Sequence, residues 1–197
     1  MLKSDKIGLV NIFMDYLNQT LYFVDIETTG PSSQKDRVLE IAIIKTKGLQ
    51  VVDRFHRLVN PKRSIPYFIQ RFTGIRPAMV VNEGCFATLA NDLNEFLDDG
   101  VFVAHNVSFD YNFLKHSLKR EGYDLEMPKL CTVRLSRKMY PEFRKHNLDS
   151  VIERIGTKIK NRHRALDDCL VLVDFVEHLH NNFCNVSLNR EIRNLTN

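Results

Sequence analysis

The sequence contains no long apolar run, and its hydrophobic stretches fall well short of the ~18 residues that a membrane-spanning helix needs. No secretory signal is predicted either, because Asn11 and Asp15 interrupt the apolar positions near residue 10 and no small-residue cleavage site follows them. These absences exclude a membrane protein. They predict a soluble, cytoplasmic protein that makes no contact with a membrane.

Cysteine is scarce, and its four positions, 85, 131, 169 and 184, lie far apart in the chain. No two cysteines have the C-x-x-C spacing of a metal site, and no histidine lies at zinc-knuckle spacing from them. Repeats and low-complexity segments are absent too. A length of 197 residues with 44% hydrophobic residues therefore predicts one domain with a substantial core and reduced thiols.

The charge balance is nearly even, with 28 Lys and Arg against 24 Asp and Glu, a net charge of +4 and a pI of about 8.9. This small basic excess permits a nucleic-acid partner without requiring one. If several acids were sequestered at a metal site, the remaining surface would be more basic than the total suggests. The basic residues that we consider for phosphate contacts, with a solvated helix face as the equal alternative, are Lys119, Arg120, Arg134, Arg137, Lys138, Arg144 and Lys145.

The apolar pattern alternates between strand-like and helix-like segments, which is typical of an α/β fold with helices on the faces of a mixed sheet. Strands are predicted at 21–24, 38–45, 50–59 and 101–104, with a short strand or helix turn at 131–139. Helices are predicted at 66–73, 86–97, from 108 to about 122, from 147 to 155, and at 165–179.

Two acids come at the end of the first predicted strand. Asp25 and Glu27 lie two residues apart, so their side chains point to the same face of that strand. Two solvated acids at a strand exit would explain this pair equally well. Buried together on an apolar strand, however, the two carboxylates would need cationic partners.

Two further acids and a histidine lie near predicted helix starts. Asp110 falls in the first turn of its helix, where the helix dipole stabilises an anion and ordinary capping is the alternative. His163 lies on a predicted loop, and Asp168, with Asp167 as the alternative acid, follows on the last helix. Carboxylates that converge from these segments predict a divalent-metal site, and the histidine suggests metal-assisted hydrolysis with a general base.

The motifs D-I-E-T-T-G, H-N-x-x-F-D and H-R-A-x-x-D resemble, in this order, those of the DEDDh-type 3′→5′ exonucleases, which include the proofreading epsilon subunits of bacterial DNA polymerase III. The resemblance runs from about Leu21 to His180, and F-T-G-I at 72–75 matches a further family segment. It implies a ribonuclease H-like fold, with a mixed five-stranded sheet flanked by helices.

The same resemblance gives the predicted domain boundaries. It places an exonuclease domain at 21–180 and leaves 181–197 as a short C-terminal tail. Residues 1–20 are predicted to form an amphipathic helical extension, because apolar residues recur there at helical spacing, at Ile7, Val10, Met14 and Leu17.

The resemblance also implies roles for individual residues. Two Mg²⁺ or Mn²⁺ ions are implied, and the residues that would bind them are Asp25, Glu27, Asp110 and Asp168. His163 would take a proton from the attacking water, which suits an imidazole because its ordinary pKa of ~6.5 lies near working pH. The residues implied around the 3′-terminal nucleotide are Thr28, Thr29, Gly30, Thr73, His105 and Phe109, with His105 supporting its strand end through hydrogen bonds.

The implied partner is a nucleic-acid 3′ end, single-stranded DNA first of all, and the family suggests a DNA polymerase subunit as a second partner. An RNA 3′→5′ exonuclease is one alternative, because the same five catalytic residues would serve it. A nucleic-acid or polymerase-binding module that has lost activity is the other. The intact acids and the intact His163 argue against that third function.

Overall fold

The computed structural model describes residues 18–196, and a mixed five-stranded sheet lies at its centre. The strands are β1 (Thr20–Thr28), β2 (Val38–Lys47), β3 (Gln50–Leu58), β4 (Val101–Ala104) and β5 (Lys129–Cys131). Their order across the sheet is β3-β2-β1-β4-β5. The pairs β1–β2 and β2–β3 are antiparallel, and β1–β4 and β4–β5 are parallel. The predicted α/β class with a mixed five-stranded sheet is confirmed.

The turn between β2 and β3 has only two residues outside the ladder. Lys47 pairs with Gln50, and the backbone of Gly48 and Leu49 between them has φ angles of 58° and 63°. Two consecutive residues with positive φ are typical of a type I′ hairpin turn, whose twist matches that of the strands. The β2–β3 hairpin therefore closes at Gly48 and Leu49.

Eight helices surround the sheet within the described residues. They are α1 (Tyr67–Thr73), α2 (Pro77–Val80), α3 (Phe86–Phe96), α4 (Ser108–Arg120), α5 (Thr132–Met139), α6 (Leu148–Ile155), α7 (Ala165–Asn182) and α8 (Asn185–Leu195). The sequence predicted α1, α3, α4, α6 and α7, and the ambiguous segment 131–139 contains the end of β5 and all of α5. Within residues 18–196, none of the helices combines the length and the apolarity of a membrane span.

Both faces of β1 are apolar, because helices cover the sheet on each side. Leu21 and Phe23 pack in the core that contains α6, α7 and α8, whereas Tyr22 and Val24 pack against α3 and α4. A strand that is buried on both sides reads as a continuous apolar run rather than an alternating one. This explains why the two acids that follow, Asp25 and Glu27, stand out so clearly.

The last helix lies in a segment for which the sequence analysis predicted no secondary structure. In α8, Leu188, Ile192 and Leu195 recur every three or four residues, and all three are buried. The helix contacts α5 and β5, and α7 continues to Asn182, past the predicted domain end at residue 180. The predicted helix at 1–20 lies almost entirely outside the described residues.

Candidate active site

The predicted acids come together at one edge of the sheet. Because β1 and β4 are parallel neighbours, their carboxyl ends meet there, which is where α/β sheets commonly bind ligands. Asp25 and Glu27 lie near the end of β1, Asp110 lies in the first turn of α4, and Asp168 lies in the first turn of α7. All four line one pocket of about 810 Å³, together with His163.

The four carboxyl groups are held in an environment that opposes their ionisation. Burial, followed by the negative charges of Asp110 and Asp168, raises the pKa of Asp25 well above its usual range. Burial likewise raises the pKa of Glu27 to about 8, that of Asp110 to about 8 and that of Asp168 to about 6. Buried acids that repel one another in this way are stabilised by a cation placed between them.

The donor atoms fit a divalent cation. Ligand atoms of Glu27, His163 and Asp168 all lie within 4.8 Å of one another. The Oδ1 atom of Asp168 is buried without a hydrogen-bond partner in the described part of the chain. Carboxylate oxygens are the ligands that Mg²⁺ and Mn²⁺ prefer, and an unpaired buried oxygen is costly unless such a partner supplies positive charge.

Arg162 is a site residue that the sequence analysis did not single out. Its Nη1 donates to Asp168 Oδ2, and its Nε lies 2.6 Å from Asp149 Oδ1. Its positive charge lowers the pKa values of Asp25, Glu27 and Asp168 and so offsets part of the repulsion among the acids. In the sequence, only its position next to His163 indicated this role.

The His163 ring is held against the pocket by an aromatic contact. Its backbone has a φ of 62°, in the left-handed region, and its ring centroid lies 3.9 Å from that of Phe72 at an interplanar angle of 35°. Burial and the adjacent Arg162 both lower the pKa of His163 below its ordinary value. At neutral pH the imidazole is therefore neutral and able to accept a proton.

A buried glutamate ties the His163 loop to the sheet. Glu40 on β2 accepts hydrogen bonds from Arg164 Nη2 at 2.8 Å, from the Ala165 amide at 3.2 Å and from His56 Nε2 at 2.7 Å. Burial alone would raise the pKa of Glu40, but the bonds from His56 and Arg164 outweigh it and lower the pKa to about 2. The sequence analysis did not identify this residue, which lies inside an otherwise apolar strand.

Two of the three residues predicted after Glu27 line the pocket, and one does not. Thr28 and Gly30 line it, and the Thr28 hydroxyl donates to the Gly30 carbonyl at 2.7 Å. Thr29 is buried behind them, where its hydroxyl accepts from the Arg37 amide at 3.0 Å and donates to Asp36 at 3.4 Å. Thr29 thus shapes the loop and does not face the pocket.

Thr73, His105 and Phe109 all line the pocket as well. His105 Nδ1 lies 2.9 Å from Thr132 Oγ1, which links the end of β4 to the start of α5. Burial lowers the pKa of His105 to about 4, so this ring is neutral at working pH. Phe109 packs on Phe113 with ring centroids 4.9 Å apart and forms part of the pocket wall.

Two exposed aromatic residues also line the pocket and were not predicted as a pair. Phe68 and Phe72 lie four residues apart on one face of α1, and they are 64% and 58% exposed. Such exposure is unusual for a pair of neighbouring phenylalanines, and exposed apolar surface of this kind is typical of ligand-binding sites. The sequence analysis included Phe72 only as the first residue of the F-T-G-I segment.

Comparison with known proteins decides the family. The signature of the RNase_T family, described as Exonuclease, matches residues 22–176. The chain belongs to this exonuclease family. Membership confirms the prediction of an exonuclease, and the divalent-metal dependence of the family agrees with the acidic cluster.

Several curated bacterial exonuclease and polymerase sequences are similar to this chain. It is 38% identical to the DNA polymerase III PolC-type of Clostridium perfringens over 153 residues, which cover 78% of this chain and 11% of that protein. The 3′-5′ exonuclease DinG of Bacillus subtilis is 36% identical over 167 residues, with 82% and 18% covered. The chain thus spans under a fifth of these relatives. With the DNA polymerase III subunit epsilon of Aquifex aeolicus it shares 31% identity over 159 residues, covering 80% and 79%.

Solved structures share the fold. Exonuclease X in complex with 5′ overhanging duplex DNA has a TM-score of 0.68 and 22% identity, covering 87% of this chain and 99% of that one. Escherichia coli exonuclease I in complex with a dT13 oligonucleotide has a TM-score of 0.73 and 19% identity, covering 81% and 40%. At this level of identity the likeness establishes the architecture alone.

Proposed function

We propose that this chain is a metal-dependent 3′→5′ exonuclease that releases nucleoside monophosphates from DNA 3′ ends, in proofreading or repair. The observation that carries the proposal is the convergence of four acids, three of them buried and Asp25 half-buried, and of His163 around one pocket at the carboxyl ends of β1 and β4. Family membership and similarity to epsilon and PolC-type polymerases support the same activity.

The acidic cluster would hold two divalent ions, Mg²⁺ or Mn²⁺. The residues that would bind them are Asp25, Glu27, Asp110 and Asp168. When bound, such ions lower the pKa of a water molecule and neutralise charge on the phosphate. Arg162, which offsets the acids' repulsion through Asp168, would share that carboxylate with the ions.

His163 would act as the general base. Its neutral imidazole would accept a proton from the attacking water. The 3′-oxygen that leaves when the P–O3′ bond breaks would take a proton from solvent, and the imidazolium would then return its own proton to solvent. The ring stays in reach of the pocket because Phe72 packs against it and because Glu40 anchors the neighbouring Arg164. A single histidine held from two sides in this way is pre-organised for proton transfer.

The remaining lining residues suit a nucleotide at a 3′ end. Thr28 and Gly30 lie beside the acids, with Thr73 and Phe109 further along the pocket. Phe68 and Phe72 offer exposed aromatic faces, on which a nucleobase of any identity can stack. Single-stranded DNA is the proposed substrate, RNA is the alternative in the same class, and a DNA polymerase subunit is a proposed partner. A cytoplasmic location remains a prediction from the sequence.

The test uses matched 5′-labelled single-stranded DNA and RNA, incubated with Mn²⁺ or with EDTA. We expect a ladder that shortens from the 3′ end with Mn²⁺ alone, and we expect none with Asp25→Ala. The control is Asp53→Ala, which removes an exposed carboxylate on β3 and should retain the full rate. The faster substrate decides between DNA and RNA. If neither strand shortens, the chain is a binding module and the proposed activity is wrong.

A further inference from the structure

A second groove, of about 710 Å³, lies beside the active pocket. The two cavities share His105, Asn106 and Asn147 as lining residues, so they form one continuous depression across the carboxyl edge of the sheet. The second groove contains none of the four acids. Its walls come from the segment between β4 and α4, from α4 itself, from β5, α5 and the loop before α6, and from the end of α8.

The side chains that line this groove are strongly basic. Lys129, Arg134, Arg137 and Arg144 all face it, and the described residues that line it include no aspartate or glutamate. Arg134 and Arg137 lie one turn apart on α5, and both are exposed. Arg144 is exposed on the following loop, and Lys129 Nζ lies 4.6 Å from the ring centroid of Tyr111.

The arginines of this groove are not committed to carboxylates. Within residues 18–196, Arg134, Arg137 and Arg144 take part in none of the ion pairs. An exposed guanidinium of this kind presents planar pairs of N–H donors that match the oxygens of a phosphodiester. Several of them in one groove, with no acid between them, create a positive potential along its length.

Other basic residues that the sequence offered for phosphate contacts have different surroundings. Lys119 pairs with Asp124, and Arg120 donates to the carbonyls of Ser33 and Gln34. Neither of these two residues lines the groove. Lys138 and Lys145 do not line the groove either, so the candidates reduce to Arg134, Arg137 and Arg144, and Lys129 joins them.

We propose that this groove binds the sugar–phosphate backbone of the single strand whose 3′ end occupies the active pocket. The inference rests on the proposed function, because it takes the end of the strand as bound at the acids. From there the chain of phosphates passes His105 and Asn106 and continues over α5. The groove also has uncharged polar lining residues, Asn106, Ser108 and Asn147, which suit a backbone that carries no sequence information.

The decisive variant is the double substitution Arg134→Ala with Arg137→Ala. Its matched control is Lys47→Ala with Arg54→Ala, which removes the same charge from exposed positions on β2 and β3, on the side of the sheet away from β5. Two substrates separate the groove from the active pocket. One is a single strand of about 12 nucleotides, and the other is the p-nitrophenyl ester of thymidine 5′-monophosphate, which has a single phosphate and reaches only the active pocket.

We expect the groove variant to raise KM for the oligonucleotide roughly tenfold and to leave hydrolysis of the ester unchanged. The slope of log affinity against log salt concentration should fall in magnitude by about 1.4, since each lost phosphate contact on a single strand contributes ~0.7. The control variant should match the wild type in both quantities. A merely structural role for α5 would instead lower the rate on both substrates together.

The experiment distinguishes a wrong groove assignment from a wrong proposed activity. If the wild type degrades the oligonucleotide and the groove variant equals the control in KM and salt slope, the groove assignment is wrong and the proposed activity stands. If the wild type degrades nothing, the proposed activity is wrong. Binding of the labelled oligonucleotide in EDTA, followed by fluorescence anisotropy, then decides on the groove, because equal affinities of the groove variant and the control overturn it.

Discussion

His163 combines a left-handed backbone, an aromatic neighbour and a lowered pKa at a single residue. Left-handed φ angles are uncommon for non-glycine residues, and functional sites account for many of them. The neighbours Arg162 and Arg164 are both bound to carboxylates on other elements. The strained conformation is therefore maintained by ion pairs on either side, which leaves the imidazole itself available to the pocket.

The first prediction concerns the base. We expect His163→Asn to lower kcat by roughly 10²–10⁴-fold, the usual contribution of general-base catalysis. Asparagine tolerates a left-handed φ better than most residues, so the fold should persist. Thermal unfolding with and without Mn²⁺ serves as the control, because a base that is not a metal ligand leaves the metal-induced shift in Tm intact. A near-wild-type kcat would remove His163 from the mechanism.

The second prediction concerns Glu40, whose pKa in the folded protein, about 2, lies below the ordinary value of 4.5. Such a group stabilises the fold above pH ~4.5, and this contribution is lost as pH falls towards 2. At about 1.4 kcal/mol per pKa unit, we expect Glu40→Gln to lower the free energy of unfolding by about 3 kcal/mol at pH 7. Urea unfolding at several pH values measures it.

The difference between wild type and Glu40→Gln should shrink steadily between pH 4.5 and 2. Asp53→Asn on β3 is the matched control, because its carboxylate is exposed, and it should change the free energy of unfolding by less than about 0.5 kcal/mol. A gap between wild type and Glu40→Gln that stays constant down to pH 2 would contradict the assigned ion pair.

At the scale of elements, α1 does more than connect the sheet to the next helix. Its seven residues place Phe68 and Phe72 on the pocket side and Tyr67, which is 73% exposed, on another. The helix ends at Gly74, which has a φ of 73° and whose backbone N–H donates a hydrogen bond to the Gln70 carbonyl. A short helix with so much exposed aromatic surface is best explained by a ligand that covers it.

The third prediction tests that surface. We expect Phe72→Ala to raise KM for a single-stranded substrate roughly tenfold, within the ~1–3 kcal/mol that stacking of one base on an aromatic ring contributes. It should also lower kcat, since Phe72 packs on His163. Tyr67→Ala on the same helix is the control. It removes an exposed aromatic ring outside the pocket, so its KM should equal that of the wild type.

Sequence reasoning succeeded where the determining contacts are local. Four of the five strands, five of the helices and the positions of Asp25, Glu27 and Asp110 at element ends follow from the local pattern of apolar and polar residues. It missed Glu40 because its partners Arg164 and Ala165 lie more than 120 residues further on, with separations of 124 and 125. It likewise missed α8, whose three core leucine and isoleucine positions are separated by polar residues typical of a tail.

For the whole molecule, the acidic cluster lowers the stability of the metal-free fold, although the proposed activity requires it. Burial and mutual repulsion raise the pKa values of these carboxyl groups, so in metal-free solution the fold loses stability as they ionise. A cation that binds only the folded chain reverses this loss. Proteins commonly accept such a cost at their functional sites.

The fourth prediction follows from the sign of that shift. The pKa of Glu27 in the folded protein is about 8, above its ordinary 4.5. Its contribution to stability is therefore present below pH ~4.5 and is lost as pH rises through 8. In EDTA at pH 8.5 we expect Glu27→Gln to have a higher Tm than the wild type, with little difference at pH 4.

Adding Mn²⁺ should reverse the order at pH 8.5, because the wild type gains a ligand that the variant binds more weakly. Circular dichroism at 222 nm follows the unfolding in each buffer. If the Tm of the wild type is the same in EDTA and in saturating Mn²⁺, the cluster does not bind the metal.

The chain supplies its active site from three distant stretches, since Asp25 and Glu27 lie on β1, Asp110 on α4 and Asp168 on α7. Severing the backbone at the exposed Glu121–Gly122 connection leaves neither half with a complete set of acids. Each piece would be inert by itself, and hydrolysis would return only when the two recombine. The fold thus lends itself to use as a split reporter, in which strand degradation signals the meeting of two fused proteins.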